Sequence, residues 1–360
     1  MSRELGKKIL AQLSVDSLFL TSPANMRYVA GFTGEGYVYL SKEKGIVVTD
    51  SRYTIAAGEE CPGYQVVEWD KKGYYSPLIS ALKEDGAKDM GVEDSHMTLR
   101  DFHKLENQLK EEGLEKIEIK EMENRVSVFR SRKTGEEIEK IRQAEAIGDR
   151  AFARLIPELR LGMTEKQVAA RLEFYMKEER AEGFSFDTIA ASGVHSAMPH
   201  AVPTDKVLEE GDFLTMDFGC LYKGYCSDMT RTVVMGKASD EQKKVYETVL
   251  KAQETALQGI RPGMTGKEVD ALAREVIEKA GYGKQFGHSL GHSVGLEIHE
   301  KPLFSSKEET VIQPGMVITV EPGIYIEGFG GVRIEDVVVI TEDGCENITH
   351  SPKNLIERQG

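Results

Sequence analysis

The chain predicts an α+β protein of two domains: a small mixed α/β amino-terminal domain, then a larger domain with an internal pseudo-twofold repeat. Three observations carry that expectation. One strand-and-acid pattern occurs twice in the C-terminal half, each copy follows a similarly capped helix, and the texture of the chain changes near residue 125. At 360 residues there is enough chain for two cores.

The segment Glu210–Gly219 aligns without a gap on Pro314–Gly323. In each, a glycine opens an apolar strand and an acid, Asp217 or Glu321, arrives six residues later. Alternation places Phe213, Thr215 and Asp217 on one strand face, and Val317, Thr319 and Glu321 on the matching face of the copy. A second acid then leads into another apolar strand: Asp228 into Thr232-Val233-Val234-Met235, and Glu335 into Val337-Val338-Val339-Ile340. Upstream, Arg160-Leu161-Gly162-Met163-Thr164 resembles Arg261-Pro262-Gly263-Met264-Thr265. Each leads into a helix with a capping box, Thr164 to Gln167 and Thr265 to Glu268. Apolar residues follow at helical spacing, Val168, Leu172 and Met176 in one helix and Val269, Leu272, Val276 and Ala280 in the other. Two copies of this length make a closed domain rather than a solenoid.

The four repeated acids, Asp217, Asp228, Glu321 and Glu335, together with His292, have a spacing that suits a two-metal site. Four carboxylates could not all ionise in one dry pocket unless cations neutralised them. Divalent cations would also lower the pKa of a water, which is the chemistry of metal-assisted hydrolysis. One such acid in an acidic protein is more often a surface residue; the repetition is what argues for a site.

Five of the eight histidines, His195, His200, His288, His292 and His299, fall between residues 195 and 299, three of them within the glycine-rich run Gly287–Glu300. Glycines there let backbone approach a ligand and argue against a helix. An extended ribbon would put His288, Leu290 and His292 on one face.

In the amino-terminal part, Ser17–Leu20, Tyr37–Leu40 and Gly45–Thr49 read as strands, with Ser41–Lys44 a polar hairpin connection. Helices are expected around Leu5–Leu13 and Pro77–Leu82. The domains are read as 1–125 and 134–360, residues 125–133 connecting them, with Thr134–Glu137 capping the first helix of the second. A net charge of -14 and the lack of a Lys/Arg cluster exclude a nucleic-acid footprint. No apolar run reaches membrane-spanning length, and the charged amphipathic start lacks a signal-peptide core. Cys61, Cys220, Cys226 and Cys345 show no CxxC spacing, so reduced thiols in a cytoplasmic protein are expected, Cys220 and Cys226 as buried structural residues.

With the five-residue pattern, Met198-Pro199-His200, the His288–Pro302 segment and Val332–Asp336, the chain resembles the pita-bread metallopeptidases. That family includes Xaa-Pro dipeptidase (prolidase), aminopeptidase P, methionine aminopeptidase and creatinase. Asn25–Gly34 and Thr49–Tyr53 are similar to the creatinase/prolidase amino-terminal domain, so the resemblance covers nearly the whole chain. It implies two divalent metal ions, with Asp228 and Glu335 bridging them, Asp217 on one, and His292 with Glu321 completing the other. Oxygen-rich ligation with one imidazole favours Mn²⁺, with Co²⁺ or Zn²⁺ as alternatives. It further implies that Glu321 moves a proton and that His200, His288 and His299 surround the substrate. Arg333 is expected either to meet substrate oxygens or to brace the site through an ion pair; His195 matches no catalytic position and is read as structural.

Methionine aminopeptidase needs no such amino-terminal domain, and creatinase lacks the ligand set. The resemblance therefore implies a homodimeric peptidase acting on short Xaa-Pro peptides, with the dipeptidase reading preferred for this compact chain and aminopeptidase P as the alternative. A pita-bread protein that only binds a partner is the remaining reading; loss of catalysis normally shows as substituted ligands, and all five are present here.

Overall fold

β-Branched and aromatic runs build the sheet of the amino-terminal unit. In the computed structural model, which describes residues 3–69, 71 and 73–358, the chain divides into two units, Met1–Arg130 and Ser131–Gly360. The first contains α1 (Arg3–Leu13), β1 (Ser17–Leu20), α2 (Pro23–Ala30), β2 (Gly36–Ser41), β3 (Gly45–Thr49), α3 (Thr54–Glu60), β4 (Gln65–Glu68), α4 (Ser76–Asp85), β5 (Asp89–Val92), α5 (Leu99–Glu111) and β6 (Glu118–Glu121). Its strands form one mixed sheet in the order β4-β3-β2-β1-β5-β6, with β2 antiparallel to both neighbours. The expected hairpin between β2 and β3 is present, its turn held by Lys44 N–H donating to Ser41 Oγ at 3.0 Å.

The second unit opens with α6 (Gly135–Leu155), capped by Thr134 and Glu137 as a reciprocal box, and α7 (Glu165–Glu178), capped by Thr164 and Gln167. Then come β7 (Gly183–Phe184), β8 (Ile189–Ser192), β9 (Phe213–Phe218), β10 (Cys220–Tyr222), β11 (Tyr225–Cys226) and β12 (Met229–Met235). The second half repeats this order with α8 (Asp240–Gly259), α9 (Gly266–Lys279), β13 (Gly291–Ser293), β14 (Glu300–Phe304), β15 (Val317–Val320), β16 (Gly323–Ile326), β17 (Gly330–Arg333) and β18 (Asp336–Ile340), followed by β19 (Cys345–Asn347) and β20 (Glu357–Arg358). One sheet runs β20-β12-β9-β8 and the other β14-β13-β15-β18-β19, so β8, β9 and β12 correspond to β13, β15 and β18. Gly211 and Gly315, at equivalent turns before β9 and β15, both hold φ at +88°, a conformation that glycine adopts without strain. Isolated bridges also recur, Thr164 with Val207 and Thr265 with Val311.

Strand alternation decides where the acids go. Leu214, Met216 and Phe218 face inward to pack with Phe152, Val168, Leu172 and Met176. Ile318 and Val320 do the same with Val249, Val269, Ala273 and Ile277. The opposite strand faces, carrying Thr215 with Asp217 and Thr319 with Glu321, are therefore turned away from the helices.

Two expectations need correction. In α9 the buried line is Val269, Ala273 and Ile277, while Leu272 and Val276 are only partly buried and Ala280 is exposed at the helix end. A step of four keeps residues over one stripe, and Ile277 offers more apolar area there than Ala280. The extended ribbon is also shorter than expected, because only Gly291–Ser293 pairs as a strand. Leu290 leaves the face of His288 and His292 and enters the apolar core, where its burial stabilises the fold.

The four cysteines are free thiols, with Cys61, Cys220 and Cys226 buried. Among the described residues no helix is long and apolar enough to cross a membrane.

Candidate metal centre

Each acid is placed by a strand end. Asp217 lies in β9 opposite Thr230 of β12, and Asp228 immediately precedes β12. In the copy, Val320 pairs with Asp336, so Glu321 just after β15 and Glu335 just before β18 are neighbours across the ladder. The halves are stitched at this point by Glu335 N–H donating to the Thr230 carbonyl at 3.1 Å. His292, in β13, is aligned by its own N–H, which donates to Thr319 Oγ1 at 3.0 Å.

Asp217, Asp228, His292, Glu321 and Glu335 all line one cavity of about 560 Å³. Ligating atoms of Asp228, His292 and Glu335 come within 4.8 Å of one another. His292 Nε2 is 3.4 Å from Asp228 Oδ2 and 3.5 Å from Glu321 Oε1. The ring's Nδ1 lies 3.3 Å from the Ser293 carbonyl, which can only accept, so Nδ1 carries the proton and Nε2 turns a lone pair towards the acids. Asp217 stands slightly apart, its Oδ2 accepting from Arg333 Nη2 at 2.7 Å.

The electrostatics show what the centre lacks. Burial, then the Glu335 carboxylate, pushes Asp228 well above the usual carboxylate range. Burial and Glu335 do the same to Glu321, and burial with Asp217 pushes Glu335 up to about 8. Burial holds His292 down to about 4, so its imidazole is neutral. Asp217 Oδ1 and Glu335 Oε1 are buried with no hydrogen-bond partner among the described residues. Orphaned carboxylate oxygens, a lone pair aimed at acids and like charges crowded together are the features divalent cations would satisfy. The donor set fits.

The structure brings the other expected residues to the same cavity. His200 and His299 are exposed within it, and the ring of His299 stands edge-on to His292 with centroids 4.4 Å apart. His288 is more committed: Nδ1 donates to the Ser289 carbonyl at 2.8 Å, and Nε2 lies 3.0 Å from the Tyr325 hydroxyl. Burial lowers it to about 4. Arg333 takes the bracing arrangement. Besides Asp217, its guanidinium donates to Thr230 Oγ1 at 3.0 Å, to Tyr325 Oη at 2.7 Å and to the Pro199 carbonyl at 3.3 Å. His195 does not line the cavity; its Nδ1 is 3.0 Å from both oxygens of buried Glu165. Cys220 and Cys226 are also outside it, and burial pushes both thiols up to about 12.

Sequence reasoning missed three supports. Thr230 Oγ1 donates to Glu335 Oε2 at 2.6 Å, and Tyr325 joins His288 to Arg333. Glu145 accepts the Asp228 N–H at 2.8 Å. A signal for the last was available, since Glu145 sits on the apolar stripe of α6 between Ile141 and Phe152.

Comparison with known proteins agrees with this geometry. Residues 5–131 match the creatinase/prolidase N-terminal domain. The Xaa-Pro dipeptidase of Pyrococcus furiosus is 42% identical over 352 residues, 97% of each chain. Among solved structures, the Xaa-Pro dipeptidase from Bacillus anthracis superposes with a TM-score of 0.93 at 42% identity, covering 98% of both chains. An X-Pro aminopeptidase from Thermotoga maritima gives 0.90 at 39%, covering 97% of this chain and 99% of that one. The segment holding the acids, the histidines and both helix pairs, residues 139–342, matches metallopeptidase family M24, and the chain belongs to that family.

Proposed function

We propose that this enzyme hydrolyses the Xaa-Pro bond of short peptides, with dipeptides preferred, using two divalent cations held by Asp217, Asp228, His292, Glu321 and Glu335. The observation that carries the reading is the convergence of those five side chains on one cavity whose other walls offer both apolar surface and free imidazoles. Oxygen-rich ligation with a single imidazole makes Mn²⁺ the favoured ion, Co²⁺ and Zn²⁺ being the alternatives. When bound, such cations neutralise the acids, polarise a carbonyl and bring the pKa of a water near 7.

The chain's own groups complete the reaction. Glu321 takes the proton of the attacking water and returns it to the departing proline nitrogen, its place beside His292 keeping it next to the reacting atoms. His299, exposed in the cavity, donates to the developing oxyanion, and His200 holds the substrate backbone. His288, both ring nitrogens engaged, shapes the wall. Phe186, Ile189, Val202 and Pro203 offer an apolar surface to the proline ring. Because Arg333 is occupied by four protein acceptors, His200 is the better partner for a free proline carboxylate.

The Xaa-Pro bond is a tertiary amide without N–H and with a substantial cis population, which ordinary peptidases handle poorly. The test compares a Xaa-Pro dipeptide with matched Xaa-Ala, Xaa-Pro-Yaa and N-acetylated peptides. Far faster cleavage of Xaa-Pro than Xaa-Ala is expected, together with a loss of kcat/KM when residues follow proline. Equal or better cleavage of Xaa-Pro-Yaa would favour the aminopeptidase reading, which the likeness to the Thermotoga maritima enzyme keeps open. The blocked peptide should be inert, because the acidic shell would no longer meet a free amine. We further propose a cytoplasmic homodimer as the working form, in keeping with the free thiols; light scattering at the mass of one chain would reject the dimer.

A further inference from the structure

Glu145 is a carboxylate in an expensive place. It is 1% exposed, on the apolar stripe of α6 among Ile141, Ala144 and Gly148, and does not line the cavity. A buried acid costs the fold free energy that an apolar residue in the same place would not. Its bonds show where that cost is offset. Oε1 accepts the backbone N–H of Asp228 at 2.8 Å, while Oε2 accepts the hydroxyl of Thr349 at 2.9 Å. The same Thr349 oxygen accepts the backbone N–H of Val337 at 2.9 Å. One carboxylate thus joins the first half at Asp228 to the second half two residues beyond Glu335.

We infer that Glu145 is a positioning residue for the metal centre, a clamp across the pseudo-twofold that fixes the separation of Asp228 from Glu335 and thereby the affinity for divalent cations. The inference rests on the reading of those two acids as ligands. Asp228 comes from the loop before β12 and Glu335 from the loop before β18, so neither half alone can set the distance between them. Glu335 is tied to the first half by its own N–H and by Arg231 Nη1, which donates to the Glu335 carbonyl at 2.5 Å. On the Asp228 side the corresponding tie is the Glu145 carboxylate. Partners that orient ligands in this way are commonly worth ~10–100-fold in metal affinity.

The test titrates metal-free full-length protein with Mn²⁺ alone, reading affinity by calorimetry and spin coupling between bound ions by electron paramagnetic resonance. Glu145→Met removes both bonds, Thr349→Val removes only the link to the second half, and Glu145→Gln keeps an acceptor for the Asp228 N–H. Affinity should fall ~10–100-fold in Glu145→Met with weakened coupling, less in Thr349→Val, and recover partly in Glu145→Gln. Wild-type affinity and coupling in a folded Glu145→Met protein would overturn the clamp. If that variant does not fold, wild-type values in Thr349→Val would overturn it instead. Asp228→Asn separates the two failures. Full Mn²⁺ binding there would remove the ligand reading itself, whereas loss there with unchanged Glu145 variants would remove only the positioning role.

Discussion

The first half of the repeated unit gives the cavity one histidine, His200, beside Phe186, Ile189, Val202 and Pro203, whereas the second gives it three, His288, His292 and His299, beside Ile298 and Leu303. Both halves share the glycine turn, the capped helix pair and the strand that ends in an acid. Duplication has kept what builds the scaffold and let the substrate-facing surfaces diverge. The same lesson appears in a structural brace. In the first half, Glu165 at the start of α7 accepts from the N–H and hydroxyl of Thr204 at 2.9 and 2.6 Å. In the second, the equivalent helix position is Gly266, where a Cβ would stand 2.2 Å from the Leu303 carbonyl oxygen. Glu308, from the loop, supplies the carboxylate for Thr310 instead. By the shared register Glu308 stands where Thr204 does and Thr310 where Lys206 does, so a carboxylate is kept near the helix start while the bond it makes has changed.

If the acids are the shared inheritance, removing one from either half should have the same large effect. Asp228→Asn and Glu335→Gln are each expected to lose bound metal and at least ~10³-fold in kcat/KM, since several kcal/mol of transition-state stabilisation go with the cations. Elemental analysis showing two metals per chain in both variants would break the symmetry argument and the bridging assignment with it.

The imidazoles should be felt differently. His299→Ala is expected to keep its metal and lower kcat ~10²–10³-fold, the usual worth of one donor to a developing oxyanion. A near-normal kcat would take His299 off the catalytic list, and loss of metal would move it into the ligand shell. His288→Ala should also keep metal but act more weakly, because its ring nitrogens already serve Ser289 and Tyr325.

Local patterns made the scaffold legible. The capping boxes at Thr134, Thr164 and Thr265, the strands and the acids at their ends follow periodicities of a few residues, which a single chain displays directly. A further box, Ser239 with Gln242 at the head of α8, carries the repeat one helix further upstream than the pattern first suggests. What stayed hidden depends on distant partners. Thr349 meets Glu145 across 204 residues, and Arg333 meets Asp217 across 116, so no spacing announces them. Leu290 departs from the expected face for a related reason: regular alternation fails where the strand is only three residues long, and core packing then decides which side chain turns inward.

Metal removal should expose the acids of both halves in a pH profile of stability. A carboxyl whose folded pKa exceeds its unfolded value stabilises the fold fully below the unfolded value and loses that contribution as pH rises through the folded one. For Glu335 the window runs from 4.5 to about 8. His288, depressed from 6.5 to about 4, runs the other way, its contribution present above 6.5 and lost as pH falls towards 4. Chelated protein should therefore melt several degrees lower at pH 8 than at pH 6, each ~1 kcal/mol shifting Tm by ~2–4 °C in a domain of this size. Metal-loaded protein should show little of that slope. Equal slopes with and without metal would mean that the cations do not neutralise these acids.

The smallest effect is expected where sequence proximity is most misleading. Cys226 is two residues from Asp228, and its thiol could be mistaken for a ligand of the first half with no counterpart in the second. Burial pushes that thiol up to about 12, so it stays protonated at neutral pH, and it lies outside the cavity. Cys226→Ser should accordingly keep both metals and wild-type kcat/KM. Its cost should appear in stability alone, ~1–3 kcal/mol if the new hydroxyl is left without a partner. A thermal melt and a metal analysis of the same sample decide the matter. Lost metal at unchanged stability would place a thiolate among the ligands, and the two halves would then differ in their metal chemistry as well as in their walls.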